Sequence, residues 1–290
     1  MKEKRHILFL ILMLLFHSKA FSKCTSLDFG EHYFLITFQS EITLSGTIKG
    51  NDTPLSYATI GIEGKNVGTL ADERGYFELK IRDEYFSDSL TVRYLGYDHQ
   101  KFKISELESH NLNINLNKSE VVLEEVVVDA SKTRKFYLGN KSERTRTYGY
   151  MFGGGVGTEI GQLMEIKNKT IYLEKVSIYI SQLGGKGFKL LLKIYSQDKL
   201  SGLPDESALV VQRLITSRKS EGWIDIDLSD ENIFFSENFY VCFQWISEDI
   251  KSPLIGLKGD MGLVRTKALG RWKFTKSYPW MIRAQGIFID

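Results

Sequence analysis

The stretch Val67-Gly68-Thr69-Leu70-Ala71-Asp72-Glu73-Arg74-Gly75-Tyr76-Phe77-Glu78-Leu79-Lys80-Ile81 decides the fold. Phe77, Leu79 and Ile81 alternate with Tyr76, Glu78 and Lys80, a period of two that puts the apolar set on one face of a strand and the polar set on the other. Asp72 to Gly75 interrupts the pattern with turn-forming residues, and Gly75 reaches positive φ without steric cost. The reading is a hairpin in which residues 67–70 pair with residues 76–81 across that turn.

Outward from this point the same period recurs in short runs. Residues 42–49, 57–62, 89–94 and 100–104, and the alternation of Leu112, Ile114 and Leu116 with Asn113 and Asn115, all read as strands separated by Gly, Asn, Asp and Ser. Seven short strands within residues 40–129 make a small Greek-key β-sandwich. Residues 121–128 (VVLEEVVV) follow as a last strand or an extended segment. Residues 130–147 form a linker whose Lys132, Arg134, Lys135, Lys141, Arg144 and Arg146 read as a solvated connector.

Longer alternations fill residues 148–290. Val176, Ile178 and Ile180 form one, and Leu190, Leu192 and Ile194 another. Ile224, Ile226 and Leu228 oppose Trp223, Asp225 and Asp227, and Phe239, Val241, Phe243 and Trp245 oppose Tyr240, Cys242 and Gln244. With Ile282, Ala284, Gly286 and Phe288 closing the chain, this region fits a jelly-roll β-sandwich. The fold expectation is therefore all-β: a Greek-key sandwich followed by a jelly roll.

Composition narrows the function classes. The 290 residues carry 38 basic and 36 acidic side chains, net +2. Residues 1–22 hold Lys2, Lys4, Arg5 and Lys19 against Glu3, so without them the balance is 34 basic against 35 acidic. A near-neutral chain has no field to gather DNA or RNA, and no nucleic-acid partner is expected. The basic start and the apolar run of residues 7–16 (ILFLILMLLF) read as a signal peptide, with Ala20 and Ser22 suited to cleavage. That run is too short for about 30 Å of hydrocarbon, and no other approaches transmembrane length, so no transmembrane helix is expected in the mature chain. The expected location is outside the cytoplasm: periplasmic, outer-membrane-associated or secreted. Cys24 follows Lys23 rather than the small residue that precedes a lipidated cysteine, and Cys242 reads as a packed strand residue.

The ordered set Ser45-Gly46-Thr47-Ile48, Pro54-Leu55-Ser56-Tyr57-Ala58-Thr59-Ile60 and Gly68-Thr69-Leu70-Ala71-Asp72-Glu73-Arg74-Gly75-Tyr76-Phe77, with Tyr94-Leu95-Gly96-Tyr97, resembles the carboxypeptidase regulatory-like domain. The resemblance implies a transthyretin-like sandwich and no peptidase chemistry, since that family is named for an accessory domain. Consistently, no HxxE zinc pair occurs, and His32, His99 and His110 stand at spacings unlike a metal site. Leu123-Glu124-Glu125-Val126-Val127-Val128 looks like the segment that follows this domain in TonB-dependent outer-membrane receptors of Bacteroidetes, where it serves as a TonB box. Residues 157–160, 201–204, 222–228 and 280–284 look like jelly-roll halves of cell-envelope proteins from the same phylum.

Few residues offer chemistry. Trp272, Tyr278 and Trp280 are the candidates for a ligand-binding, glycan-stacking face, with Trp272 between Arg271 and Lys273 the best placed to be exposed. Asp225 and Asp227 share a strand face and, with Asp205 and Glu206 from a loop, form a candidate Ca²⁺ set, or by themselves a general acid and base. Residues 153–157 (GGGVG) lack the Lys-Ser/Thr of a phosphate loop, and no G-x-S-x-G elbow is present. No catalytic residue and no cofactor beyond structural Ca²⁺ is expected. The partner expected is an envelope protein or a glycan, and the function a non-enzymatic envelope module. The alternatives are a glycan- or peptide-acting hydrolase through Asp225 and Asp227, and an accessory to TonB-dependent transport through residues 123–128.

Overall fold

The computed structural model describes residues 26–28, 33–35, 40–119, 134–145, 147–150, 155–167, 169–182, 187–246, 252–259, 261–276 and 279–289. Residues 1–22, read above as a signal peptide, and Cys24, residues 123–128 and Tyr278 lie outside them. The described chain is all-β, with only short 3₁₀ turns between strands. No helix among the described residues is long and apolar enough to cross a membrane.

Strands Ser26–Asp28 (β1) and Tyr33–Leu35 (β2) pair with each other. Next come Glu41–Gly50 (β3), Thr53–Pro54 (β4), Thr59–Ile62 (β5), Val67–Leu70 (β6), Tyr76–Arg82 (β7), Ser89–Arg93 (β8), Gln100–Lys103 (β9) and Leu112–Leu116 (β10). They form two four-stranded sheets. In one, β3 is flanked by antiparallel β7 and parallel β10, with β4 at its end; the other runs β6-β5-β8-β9. Leu44, Ile48, Phe77, Leu79 and Ile81 from the first sheet and Ile60, Ile62, Leu90 and Val92 from the second meet in one core.

The hairpin expected around Asp72–Gly75 does not form. β6 pairs with β5 and β7 pairs with β3, so the turn carries the chain from one sheet to the other. The Asp72 carboxylate explains this: its Oδ1 accepts the amides of Arg74 (2.8 Å) and Tyr76 (2.9 Å). Gly75, at φ +75°, donates to the Asp72 carbonyl. This Asx-type turn bends the backbone sharply but leaves the strands in different layers.

The second set is Arg134–Gly139 (β11), Thr147–Tyr150 (β12), Glu159–Met164 (β13), Thr170–Gln182 (β14), Phe188–Gln197 (β15), Pro204–Ser217 (β16), Gly222–Asp227 (β17), Ile233–Phe235 (β18), Phe239–Trp245 (β19), Leu254–Leu257 (β20), Met261–Arg265 (β21), Lys273–Lys276 (β22) and Ile282–Ile289 (β23). One sheet is ordered β11-β23-β14-β20-β12, with β17 and β18 also on β14; the other runs β16-β15-β19-β13-β21-β22. Their facing sides supply a second core, including Ile171, Val176, Ile178, Leu190, Leu192, Phe243, Trp245 and Ile282. The basic stretch read as a connector is therefore in part structural. β11 pairs along its whole length with β23, because Phe136 and Leu138 alternate with Lys135 and Tyr137 and turn inward onto this core.

Candidate functional site

The polar side chains most removed from solvent gather where the β6-β5-β8-β9 sheet meets the outer face of the β16–β22 sheet. The second sheet is built for cover on both sides. Its central strand β19 is buried at all seven positions, Phe239, Val241, Phe243 and Trp245 facing its own core and Tyr240, Cys242 and Gln244 facing away. Beside these lie Glu159, Lys193, Tyr195, Leu263 and Arg265, all buried. Register places them: Lys193 stands opposite Cys242, Tyr195 opposite Tyr240, and Glu159 between Gln244 and Arg265.

The opposing sheet is shaped to receive them. Ile60 and Ile62 point into the first core, so Thr59 and Gly61 point outward. Gly61 pairs with Gly68 across β5 and β6, which leaves a bare backbone platform. A Cβ on Gly68 would stand 2.1 Å from the Ala268 carbonyl oxygen, and one on Gly61 3.1 Å from it. Hydrogen bonds fix the loop that carries Ala268. Gly64 N–H donates to the Leu269 carbonyl (2.8 Å), Arg271 N–H to Asn66 Oδ1 (3.1 Å), and Arg271 Nε to the Gly64 carbonyl (2.7 Å).

A charged network sits beside the platform. Arg265 Nε and Nη2 donate to Glu159 Oε2 at 2.9 and 2.5 Å, and Nη1 pairs with Glu206. Tyr195 Oη donates to Glu159 Oε1 at 3.1 Å, and Trp272 Nε1 to Glu206 Oε1 at 3.3 Å. From the first sandwich, Arg93 donates to Glu63 at 2.6 Å and to the Glu206 carbonyl at 3.2 Å, while Lys101 pairs with Glu63 at 2.9 Å. Lys193 Nζ, the buried cation facing the junction, donates to Thr59 Oγ1 at 3.1 Å. Burial lowers its pKa, against the pull of the Glu159 carboxylate. At the rim, Lys189 reaches Glu73 at 2.6 Å.

Chemically this is a sealed joint. Burial raises the Cys242 thiol and the Tyr195 hydroxyl well above their usual ranges, and the nearby Glu159 charge raises both further. Both are held protonated, the reverse of what a nucleophile needs. The sign of the pH effect follows. A thiol in the unfolded chain ionises near pH 8.5, so above about that value the unfolded state releases a proton that the folded state keeps. Stability then falls with rising pH by up to about 1.4 kcal/mol per unit from this group. Cys242→Ala should flatten the alkaline limb of a urea-stability profile between about pH 8.5 and 10.5 relative to the parent chain. Parallel profiles would show that the thiol does not titrate with folding.

The residues singled out by sequence are scattered. Trp280 is a core side chain whose Nε1 donates to the Leu263 carbonyl at 2.9 Å. Trp272 is half-buried and lies over the Arg265 guanidinium at 4.3 Å, so it roofs the joint rather than standing free. Tyr278 lies outside the described residues. Asp225 is held by Ser177 Oγ (2.7 Å) and Lys175 (3.6 Å), and Asp227 by the amide and hydroxyl of Ser229, which lower its pKa. Asp205 accepts from the amide and hydroxyl of Ser207. Among the described residues no group of three or more His, Cys, Asp or Glu could hold a metal ion. Sequence reading missed Glu159, Lys193 and Arg265, which match no motif and come together only through strand pairing.

Comparison with known proteins bears on the first sandwich. Residues 44–128 match the CarboxypepD_reg-like domain, under a third of the chain. No curated protein matches the chain. Over the whole chain, similar solved structures include the infectious bursal disease virus VP2 subviral particle, at 9% identity and a TM-score of 0.27, covering 96% of this chain and 85% of that one. The T=1 particle derived from the same virus matches at 8% identity and a TM-score of 0.25, covering 96% and 82%. Similarity at this level carries no functional argument.

Proposed function

We propose that the protein is a non-enzymatic, exported cell-envelope module in which the regulatory-like sandwich acts as a structural element and the C-terminal sandwich, of jelly-roll type, binds a glycan or another envelope protein. One observation carries this reading. The side chains with the chemistry of an active site, Glu159, Lys193, Tyr195, Cys242 and Arg265, are all buried; Glu159, Tyr195 and Arg265 are joined to one another, and Lys193 to Thr59 of the opposite sandwich. Asp225 and Asp227, the pair for a hydrolase, each accept a hydrogen bond from a serine, Ser177 and Ser229.

The test is to incubate the exported chain with polysaccharide and peptide panels, scoring retention and product release in parallel. Retention without product is expected, unchanged in an Asp225→Asn/Asp227→Asn variant. Product release that this variant abolishes would establish the hydrolase instead. Retention of the chain by an immobilised TonB C-terminal domain, lost when residues 123–128 are replaced, would establish the transport accessory.

A further inference from the structure

A surface hollow away from the joint draws on the basic stretch that follows the first sandwich. It has a volume of about 760 Å³ and runs along the edge strand β11. That is within the range of about 300–1,000 Å³ common for ligand sites. Six cationic side chains line it, Arg134, Lys135, Lys141, Lys167, Lys169 and Arg283, against two carboxylates, Glu143 and Glu165. They come from three separate parts of the chain and are brought together by the pairing of β11 with β23 and by the turn before β14. Folding thus concentrates positive charge that the whole chain, nearly neutral, does not show.

Most of this charge is not spent internally. Among the described residues, Arg134, Lys135, Lys141 and Lys167 have no ion-pair partner. Aromatic surface lies among the cations. Tyr137 is 46% exposed, with the Arg283 guanidinium 6.0 Å from its ring, and Phe288 lies under Lys169 at 4.7 Å. Glu165, Ile166 and Lys167 also line an adjoining hollow of about 380 Å³, bounded by Gln197, Asn238 and the Lys199–Glu237 ion pair. A small free anion would need one cation pair. Four unpaired cations spread over one hollow, with an exposed ring among them and a second hollow adjoining, fit a ligand with repeated negative charge and flat apolar faces between the charges.

We infer that this groove binds an acidic polysaccharide, sugar rings resting on Tyr137 and ring-borne carboxylate or sulfate groups meeting Arg134, Lys135 and Lys167. The inference rests on the reading of the C-terminal sandwich as a binding module and names the ligand class for it.

The full exported chain is titrated by calorimetry with an oligogalacturonate hexasaccharide, a heparin hexasaccharide, a neutral maltohexaose and vesicles containing phosphatidylglycerol. Binding of one or both acidic hexasaccharides is expected, with carboxylate or sulfate preference read from their ratio, and no binding of maltohexaose. Raising NaCl from about 0.05 to 0.5 M should weaken it as the charges are screened. Arg134→Gln/Lys135→Gln/Lys167→Gln, all at exposed positions, should weaken it about tenfold. Tyr137→Ala should weaken it severalfold, with thermal unfolding as the check that each variant is folded. An unchanged affinity in the triple variant would overturn the inference. So would full affinity in Tyr137→Ala, which marks an unspecific polyanion effect, or binding to vesicles but to neither acidic sugar. Binding of maltohexaose as tightly as the acidic sugars would overturn the inference while leaving the module reading intact. Shortened oligosaccharide products in the cell would instead overturn the module reading.

Discussion

Replacing Arg265 by methionine is expected to cost about 3–5 kcal/mol of folding stability, read from urea denaturation of the parent and variant chains. The guanidinium is fully buried and donates twice to Glu159, whose carboxylate is itself without solvent contact. Methionine fills similar space but leaves that carboxylate with Tyr195 Oη as its remaining side-chain donor. Such a charge must stay desolvated or pull water into the joint. Removing both members should behave differently. Glu159→Leu with Arg265→Met exchanges a desolvated ion pair for apolar contact and should recover most of the loss, because an ion pair of this kind adds little net stability over a well-packed apolar pair. Glu206, a quarter exposed, can be rehydrated when its partner goes. A loss below about 1 kcal/mol in the single variant would mean the pair is open to solvent.

Gly68→Val is expected to separate the two sandwiches. A side chain there enters the Ala268 carbonyl, and Ala268 cannot move aside while Leu269, Asn66 and Arg271 hold its loop to residue 64. Overpacking of this kind costs about 1–3 kcal/mol, and here the strain falls on the joint rather than inside either core. Scanning calorimetry should therefore show one transition for the parent chain and two for the variant, one per core. A single transition at the parent temperature would show that the platform does not support the contact.

The two cores were legible in the sequence because a half-buried strand writes its inward face as every second residue, as in Phe77, Leu79 and Ile81. Two kinds of feature were not. A turn does not state which strands it joins, so Asp72–Gly75 read as a hairpin although its Asx geometry passes the chain between layers. A polar alternation likewise does not state what covers it. Leu190, Leu192 and Ile194 mark one face of β15, but their alternation does not tell that Lys193 and Tyr195 on the other face are buried too, Lys193 against Thr59 of the other sandwich. The signal that could have found this is β19. Its outward set Tyr240, Cys242 and Gln244 carries little charge, and a strand without a charged face is rarely on the outside of a sandwich. The basic residues 134–146 gave the opposite error. Arg134, Lys135, Lys141 and Arg144 are exposed, but the alternation of Phe136 and Leu138 that makes β11 a strand was overlooked.

The bare glycine platform has a mechanical consequence. Folded units strung on a single chain crossing ordinarily rotate independently unless a large, well-fitted contact prevents it. Here backbone meets backbone at Gly68 and Ala268, a contact that depends on no side chain that could swing, and the buried Lys193 is latched to Thr59 beside it. The molecule should reorient in solution with one correlation time. Whatever the β11 groove grips is then carried at a set angle to the N-terminal sandwich, as on a strut rather than a tether.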